Sequence, residues 1–361
     1  MVSNTIPLNQ PTISIVATFY NNRKTAKQLI QSVLNQTYTD WELICIDDCS
    51  PSNDFEVLSK WGKKITIIRN EYNLGANKSR KKGIDLAKGK YITFIDGDDW
   101  FEPEALEHLV KPALKYDLDF CQMNSNRAYP LGIKKKCKNV VDRYNSIIQS
   151  SELIDKYYIS FFGINLIGVA FWGKLIKTEI VRNTGFNYNH YPIGEDLLFN
   201  VYLFPCIKTA MFVDYHGYNW RFGGITSSKS NITKTKKLLY DFIEIFNLKK
   251  GFADKLNYSK AYIPMFIELK NILLSNFSGI AKYPCRDKKA EEIKSLIIEI
   301  LNIDSSKNNI LKLLSIERYQ NDNFINAINK NDIDAIYQIC HVRYKADWKR
   351  RIAKNILRKL L

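Results

Sequence analysis

The chain has 361 residues and a formal net charge of +16, with 45% hydrophobic and 25% charged residues. These values exclude a disordered chain and leave room for one large domain with a smaller one. The seven scattered cysteines include no Cys-x-x-Cys pair, which argues against a zinc site or a disulfide framework and makes reduced thiols the expected state. Residues 1–11 are polar and lack the apolar run of a secretion signal, so a cytoplasmic location is expected.

The positive charge is concentrated in the last third of the chain. Residues 1–230 contain 28 Lys and Arg against 23 Asp and Glu, whereas residues 231–361 contain 25 against 14. A nucleic-acid-binding protein is one interpretation of a sequence pI of about 9.3. Because the excess lies outside the α/β-patterned part and no recognition motif accompanies it, no nucleic-acid partner is expected.

Apolar strand patterns alternate with amphipathic helix patterns from Ile13 onward. The predicted strands are Ile13–Phe19, Glu42–Asp47, Ile65–Arg69 and Tyr91–Ile95, and the predicted helices between them are Thr25–Gln36, Phe55–Trp61 and Ala76–Ala87. This order predicts βαβ units and a parallel sheet. Because ligands of such sheets bind at the carboxyl ends of strands, the loops after Phe19, Asp47 and Ile95 are expected to face one site.

Further elements follow with less regular spacing. They are a helix over Glu104–Lys115, a strand over Leu118–Asn124, a basic irregular stretch over Arg127–Arg143, a helix over Ser151–Phe162, strands over Phe171–Ile176 and Met211–His216, and a loop and helix over Pro192–Leu203. The uncharged run 157–173 is too short and too polar for a membrane span, so it is expected in the protein interior.

The pattern becomes wholly helical after about residue 232. The predicted helices are Lys236–Lys249, Tyr258–Ser275, Lys288–Leu301 and Phe324–Cys340. We therefore place a domain boundary near residue 228, with an α/β domain over 1–228 and a helical domain over 229–361.

Three aspartates follow the predicted strand Tyr91–Ile95 within four positions: Asp96, Asp98 and Asp99. Folding gains nothing from crowding like charges, and desolvation makes the crowding less favourable. A hard divalent cation with oxygen ligands would account for them. A solvated acidic turn is the alternative, and these residues alone leave both open.

Six short motifs occur along the first 200 residues, while the Gly-rich dinucleotide and Walker fingerprints are absent. The motifs are Ser14–Asn21, Ser32–Tyr38, Ile46–Ser50, Asn73–Gly83, Asp96–Asp99 and Gly194–Asp196. In this order they resemble the family 2 glycosyltransferases, enzymes of the GT-A fold, over roughly residues 12–228. Two positions depart from the common pattern: Cys49 stands where the family has Gly, and Thr18 stands where many members have Pro.

The resemblance implies a Rossmann-like mixed α/β sheet followed here by a C-terminal helical domain. It also implies an inverting, metal-dependent hexosyl- or N-acetylhexosaminyl-transferase. Such an enzyme moves sugar from a UDP-sugar to a hydroxyl of a glycan or lipid-linked acceptor, as in capsule or lipopolysaccharide synthesis. A nucleotide-sugar-binding module without catalysis is an alternative, although the presence of both Asp98 and Asp196 argues against lost activity.

The resemblance implies a different role for each of the three aspartates of the acidic motif. Asp98 is expected to coordinate Mn²⁺ or Mg²⁺, and Asp96 to bind the ribose or assist at the metal. Asp99 either supports the ion indirectly or supplies negative charge at a following helix N-terminus near Pro103.

The uridine is expected to bind close to the first motifs. The resemblance places Asp48 on the uracil edge, Thr18 and Tyr20 beside the ring, and Arg80 near the base or phosphates. Each residue has a plainer interpretation as well. Asp48 would serve as a helix N-cap, Tyr20 as a half-buried aromatic residue, and Arg80 as part of a solvated basic helix face.

The Glu-Asp pair supplies the expected catalytic groups. Asp196 matches the family's general base, which removes the proton of the acceptor hydroxyl. Glu195 is expected to position the acceptor or Asp196. A helix N-terminus is the structural alternative for the pair, and both descriptions can hold together. His216 is a weaker candidate for contact with the metal or the diphosphate, with a structural role favoured, and Arg221 is a weaker candidate for contact with the diphosphate.

The last residues combine an apolar stripe with many basic residues. Trp348, Ile352, Ile356 and Leu360 share one face of a predicted helix, and residues 341–361 hold eight basic residues against one acidic residue. This composition is typical of an interfacial helix on an anionic membrane, and a helix packed on its own domain is the alternative. Residues 345–361 are therefore candidates for peripheral attachment to the inner face of the cell membrane.

Overall fold

The computed structural model describes residues 10–51, 65–188, 194–222 and 231–360. The side chains of Asp304 and of residues 349–360 are not described. The helix predicted over Phe55–Trp61 lies outside the described residues. So do the side chains of Ile352, Ile356 and Leu360, which make up most of the predicted interfacial stripe.

A single ten-stranded sheet organises the first 222 residues within the described ranges. Its strands are β1 Ile13–Phe19, β2 Trp41–Asp47, β3 Ile65–Arg69, β4 Tyr91–Asp96, β5 Trp100–Phe101, β6 Phe120–Ala128, β7 Lys134–Cys137, β8 Ile148–Gln149, β9 Lys174–Lys177 and β10 Thr209–Arg221.

The sheet is mixed rather than parallel throughout. The order along it is β3-β2-β1-β4-β9-β6-β10-β5, with β7 on β6 and β8 on β10. The strands β3, β2, β1 and β4 pair in parallel, whereas β9 runs antiparallel to both β4 and β6. The expectation of a parallel sheet therefore holds only for the first four strands, and the α/β class is confirmed.

Five α-helices of six residues or more accompany the sheet within the described part of the chain. They are α1 Arg23–Leu34, α2 Ala76–Leu86, α3 Ala105–Lys115, α4 Thr178–Asn183 and α5 Glu195–Leu203. α1 shows why they form, because Ala26, Leu29, Ile30 and Val33 recur at helical spacing and are all buried. The helix predicted over Ser151–Phe162 is instead a short α-turn followed by a π-turn and a 3₁₀-turn.

An aromatic cluster fills the space between the sheet and α5. Phe94 of β4 meets Phe171 edge-on at a ring-centroid distance of 5.3 Å, and Phe171 stacks on Phe199 of α5 at 4.2 Å. All three rings are essentially inaccessible to solvent. Burial of each ring contributes roughly 2–3 kcal/mol relative to exposure. This cluster fixes α5 against the strand that ends at Asp96.

Two segments predicted as loops are in fact strands. β10 continues to Arg221 through two register shifts, although the sequence pattern placed its end at His216. β7 occupies part of the stretch Arg127–Arg143 that was predicted to be irregular. Both strands carry polar or basic side chains, which hide the apolar alternation on which strand prediction depends.

The helices from Ile232 onward form a second compact unit, which also takes in Phe162–Ile164. They are α6 Ile232–Lys255, α7 Tyr262–Ile280, α8 Lys288–Leu301, α9 Asp304–Leu311, α10 Asn323–Asn329 and α11 Ile333–Leu360. Within this unit the buried ammonium of Lys270 pairs with Asp322 at 2.6 Å. Among the described residues, no helix has the length and apolar character needed to cross a membrane.

Candidate active site

The acidic motif forms a tight turn at the carboxyl end of β4. The turn is closed by a hydrogen bond from the Asp99 amide to the Asp96 carbonyl at 2.9 Å. A Cβ atom at Gly97 would lie 2.7 Å from the backbone oxygen of Thr18, a distance that no side chain tolerates. Glycine between the two aspartates is therefore required, because the turn lies directly on the end of β1.

Asp99 is the structural member of the motif. Its buried carboxylate accepts hydrogen bonds from the Tyr218 hydroxyl at 2.8 Å and from the Arg221 amide at 2.9 Å. Burial, followed by the neighbouring Asp96 and Asp98, raises the pKa of Asp99 to about 8. These bonds attach the acidic turn to β10, a different arrangement from the helix N-terminal charge considered for Asp99.

Asp98 retains a carboxylate without a side-chain partner among the described residues. Arg221 approaches it, but the Nε atom donates to the Asp98 carbonyl at 3.0 Å rather than to the carboxylate. Burial, followed by the charge of Asp96, raises the pKa of Asp98. The negative charge at this position is thus incompletely compensated by the protein, as expected of a group that meets a cation.

Arg80 links the acidic turn to the Glu-Asp pair. It projects from α2, its side chain is 6% exposed, and its Nη2 donates to Asp96 at 2.9 Å. Its Nη1 lies 3.9 Å from Glu195 and 3.8 Å from Asp196. Burial alone would lower the pKa of Arg80, but the three carboxylates raise it above the usual arginine value. Arg80 is therefore a permanently charged centre of the site, and it does not belong to a solvated helix face.

The Glu-Asp pair occupies the first turn of α5. Burial raises the pKa of Asp196 to about 7, with Arg80 opposing the shift and Glu195 and Asp96 reinforcing it. One carboxylate oxygen of Asp196 is buried and accepts no hydrogen bond within the described residues, while about a third of the side chain remains exposed. A carboxylate with these properties is a competent proton acceptor near neutral pH. The helix-start and catalytic-base interpretations are compatible.

A buried lysine supports the 168–170 segment, which is hydrogen-bonded to α5. Lys174 of β9 is completely inaccessible and donates to the Gly168 carbonyl at 3.1 Å and to the Ala170 carbonyl. Burial lowers the pKa of Lys174 to about 7, and the charge of Asp196 acts in the opposite direction. Asn200 of α5 donates to the Val169 carbonyl at 2.5 Å. The 168–170 backbone is thereby fixed relative to the helix that carries Asp196.

The residues predicted for base recognition lie at the ends of β1 and β2. The Asp48 amide donates to the Phe19 carbonyl at 2.8 Å, which places Asp48 beside Tyr20. Its buried carboxylate accepts from Asn70 at 2.7 Å and from the Leu74 and Gly75 amides at 2.8 Å. Asp48 thus shapes the loop leading into α2, which is related to the predicted capping role, and its contact with a base stays a prediction.

Thr18 and Tyr20 lie on the same edge. Thr18 is directly opposite Asp96 in the β1–β4 register, and Tyr20 has 40% of its surface exposed. An exposed aromatic face next to a turn of polar groups is available for stacking.

Of the two weaker candidates, only Arg221 joins the acidic turn. The charged groups that influence His216 are Lys136, Lys138 and Asp214, which lie outside that turn, and burial lowers the pKa of His216. Arg221 contacts Asp98 and Asp99 as described above, and its guanidinium also donates to Gln28 at 2.8 Å.

Sequence reasoning assigned no role to Tyr218, although it is central to the site. Its buried hydroxyl donates to Asp99 and accepts from the Asp96 amide at 3.1 Å, and its ring stacks on Trp172 at 4.3 Å. A clue was present in the alternation of large aromatic residues with polar ones over Tyr218–Arg221, which is a strand pattern with one polar face.

The chain is similar to known glycosyltransferases in sequence. Residues 14–164 match the family model "Glycosyl transferase family 2". The cholesterol galactosyltransferase of Borreliella burgdorferi is 28% identical over 299 residues, covering 80% of this chain and 83% of that protein. The Escherichia coli glucosyltransferase WfgD is 37% identical over 113 residues, covering 31% of this chain and 45% of that protein. The alignment with WfgD thus spans less than half of its length.

A solved structure extends the comparison to the whole fold. The structure of Staphylococcus aureus TarS 1–349 in complex with UDP-GlcNAc superposes with a TM-score of 0.63 and 14% identity, covering 93% of this chain and 92% of that one. This similarity establishes a shared GT-A architecture, including the helical C-terminal region. The acidic turn lies within residues 14–164, which match the family 2 glycosyltransferase model, and the Glu-Asp pair follows that domain in the expected order.

Proposed function

We propose that the protein is an inverting transferase that moves a sugar from a UDP-sugar to a hydroxyl of a glycan or lipid-linked acceptor. The observation that carries the proposal is the Asp196 carboxylate, which has a pKa of about 7 and lies 3.8 Å from Arg80. Arg80 connects it to Asp96 at the end of β4. A proton acceptor and the acidic motif therefore belong to one electrostatic unit.

The proposed mechanism assigns one task to each group. Asp196 takes the proton from the acceptor hydroxyl as its oxygen attacks the anomeric carbon, and the bond to the nucleoside diphosphate breaks on the opposite face. Attack from that side inverts the configuration. Arg80 keeps Asp196 from becoming still more basic, and Glu195 keeps Arg80 oriented. Asp48, Thr18 and Tyr20 are proposed to hold the uridine, because they share the sheet edge with Asp96.

The acidic turn is chemically suited to a divalent cation. Asp98 carries an incompletely compensated carboxylate beside Asp96, and Mg²⁺ or Mn²⁺ needs only one or two carboxylates when substrate phosphates supply other ligands. Across the described ranges, no group of three or more His, Cys, Asp or Glu side chains is suited to hold an ion. We propose Asp98 as the principal ligand and Asp96 as an assisting one, with substrate phosphates as the remaining ligands. A bound ion would stabilise the negative charge on the leaving diphosphate.

The donor and acceptor classes are inferred from relatives. TarS was solved with UDP-GlcNAc, and WfgD is named for transfer from UDP-Glc to a GlcNAc-diphosphoundecaprenol. Both support a UDP-sugar as the donor, and WfgD supports a lipid-linked acceptor. Hexosyl and N-acetylhexosaminyl donors are both included in the proposal.

A panel of UDP-sugars tests the proposal directly. We expect release of UDP with at least one donor in the presence of Mn²⁺, and loss of that release with EDTA. Asp98→Asn should reduce UDP release by roughly 10²-fold or more, because the metal ion that stabilises the leaving diphosphate then loses its principal protein ligand. UDP release can be measured by mass spectrometry.

Asp85→Asn is the matched control, because Asp85 is an exposed carboxylate that pairs with Lys81 on the surface of α2. Unchanged turnover after EDTA treatment and in Asp98→Asn would contradict the metal assignment. Binding of a UDP-sugar with neither transfer nor hydrolysis would favour the non-catalytic module instead.

The basic C-terminal segment remains a candidate membrane contact. We expect removal of residues 345–361 to release the protein from anionic liposomes, since these residues contribute most of the positive charge of the last helix. Co-sedimentation with vesicles containing about 30% anionic lipid measures this. Equal sedimentation of the full and shortened chains would argue for a helix packed on its own domain.

A further inference from the structure

A cleft of about 440 Å³ lies between β6, β7 and the 165–170 segment. Gln122, Arg127, Asn139, Trp172 and Trp220 are among its lining residues, and none of the described residues that line it is Asp or Glu. Two indole rings combined with several amides suit a pyranose, whose C–H face packs on aromatic rings while its hydroxyls require donors and acceptors.

The cleft is joined structurally to both halves of the candidate active site. Trp172 stacks on Tyr218 with an interplanar angle of 4°, and Tyr218 holds Asp99 of the acidic turn. On the other side, Asn200 donates to the Val169 carbonyl in the cleft wall and to the Asp196 carbonyl at 2.6 Å. A sugar in this cleft would therefore be held by the elements that position the proposed base.

Gln122 has unused hydrogen-bonding capacity in the cleft wall. It is 3% exposed, and its amide nitrogen donates to Asn139 at 3.2 Å and to the Gly168 carbonyl at 3.1 Å. These two bonds fix the orientation of the amide, because a flipped oxygen would face two other acceptors. The Oε1 atom is left buried without a partner among the described residues, and a ligand hydroxyl would satisfy it.

Arg127 adds a positive charge that pairs with no carboxylate among the residues that the structure describes. Its guanidinium lies 4.3 Å from the Trp220 ring centroid, and its Nε is buried without a hydrogen-bond partner in the described part of the chain. Lys138, the other cation of the lining, is paired with Asp214 at 3.2 Å. Arg127 thus lies against an aromatic face and its side chain makes no hydrogen bond or ion pair among the described residues, a geometry suited to a carboxylate or phosphate.

We propose that this cleft binds the acceptor saccharide and that Arg127 pairs with an anionic group on that acceptor. The inference rests on the transferase function proposed above and specifies its acceptor as an acidic or phosphorylated glycan. A neutral glycan would leave the Arg127 guanidinium without a counter-charge in a cleft that has no carboxylate of its own.

Ligand-observed NMR on the full chain with UDP present tests the proposal. The probes are methyl glucoside, methyl glucuronide and glucose 6-phosphate, which share a ring and differ in charge. We expect one or both anionic probes to bind at least about tenfold more tightly than methyl glucoside, and Arg127→Met to remove that preference. Which anionic probe binds more tightly distinguishes a carboxylate from a phosphate. Lys135→Met is the matched control, since Lys135 is an exposed cation of neighbouring β7 outside the lining.

Equal binding of charged and neutral probes, or the same preference in Arg127→Met, would overturn the proposal, as would an absence of sugar binding. Gln122→Leu provides a second reading, because it removes the unpaired acceptor and should weaken all three probes similarly. UDP release from a UDP-sugar to water, measured on the same protein variants in separate samples without added UDP, reports the proposed transferase function independently of the cleft. Failure of one inference is therefore distinguishable from failure of the other.

Discussion

Asp196→Asn is expected to reduce glycosyl transfer by about 10²–10⁴-fold, the range associated with loss of a general base. Asparagine keeps the shape of the side chain but cannot accept the acceptor proton. Binding of UDP should change by less than about twofold, because within the described residues Asp196 is connected to the acidic turn through Arg80 rather than by a direct hydrogen bond. Transfer rates and UDP affinity, measured together, check this. Transfer within tenfold of the wild type would remove Asp196 from the role of base.

The same residue predicts a pH dependence. The base acts as the carboxylate, and burial raises the pKa of Asp196 to about 7. The transfer rate should therefore fall about tenfold per pH unit below pH 7 and reach a plateau above it. The residual activity of Asp196→Asn should lack this acidic limb.

The pH dependence of the free energy of unfolding provides a second test of the raised pKa of Asp196. A carboxyl whose pKa is higher in the folded state than in the unfolded state stabilises the fold at low pH, and the contribution is lost as pH rises through the folded value. For Asp196 this loss occurs between about pH 4 and pH 7. Asp196→Asn should therefore gain stability relative to the wild type as pH increases over that window. Such a gain would identify a charge retained for function at a cost in stability.

The first four strands were predictable because each buries a short apolar run between turn signals. The acidic turn was also predictable, since it directly follows an apolar strand. Its partners were not. Tyr218 and Arg221 meet Asp99 from about 120 residues away, and Arg80 meets Asp196 across 116 positions of sequence. Such pairs depend on which distant strands and helices become neighbours in the fold, and local sequence patterns do not encode this.

The missed break in the last predicted helix has a local cause. The sequence pattern joined Phe324 to Cys340, whereas the chain forms α10 and α11 with Asn331 at a φ of 53° between them. Asp332 then accepts a hydrogen bond from the Ala335 amide at 2.9 Å, which caps the start of α11. The Asn-Asp pair carried this signal, because Asn tolerates the left-handed conformation and Asp begins helices. The apolar periodicity on both sides concealed it.

Arg80→Met is expected to lower the free energy of unfolding by about 3 kcal/mol at pH 8, because it removes the buried cation shared by Asp96, Glu195 and Asp196. The loss should be smaller at pH 5, where protonation of Asp196 removes part of the uncompensated charge. Urea unfolding at the two pH values measures the difference. Arg143→Met is the matched control, because Arg143 is 47% exposed and its pair with Glu152 lies at the surface; its effect should stay within about 0.5 kcal/mol.

The pH dependence of the transfer rate of Arg80→Met should differ from that of the wild type, a change that a purely structural role of Arg80 would not produce. Arg80 lowers the pKa of Asp196, so its removal moves that pKa above 7 and shifts the acidic limb of the rate profile to higher pH. Arg80→Lys keeps the charge but has no second nitrogen with which to approach Asp96 and Asp196 at the same time. It should therefore shift the acidic limb of the rate profile less than Arg80→Met does. An unchanged limb in Arg80→Met, with activity lost equally at every pH, would show that Arg80 stabilises the site without tuning the base.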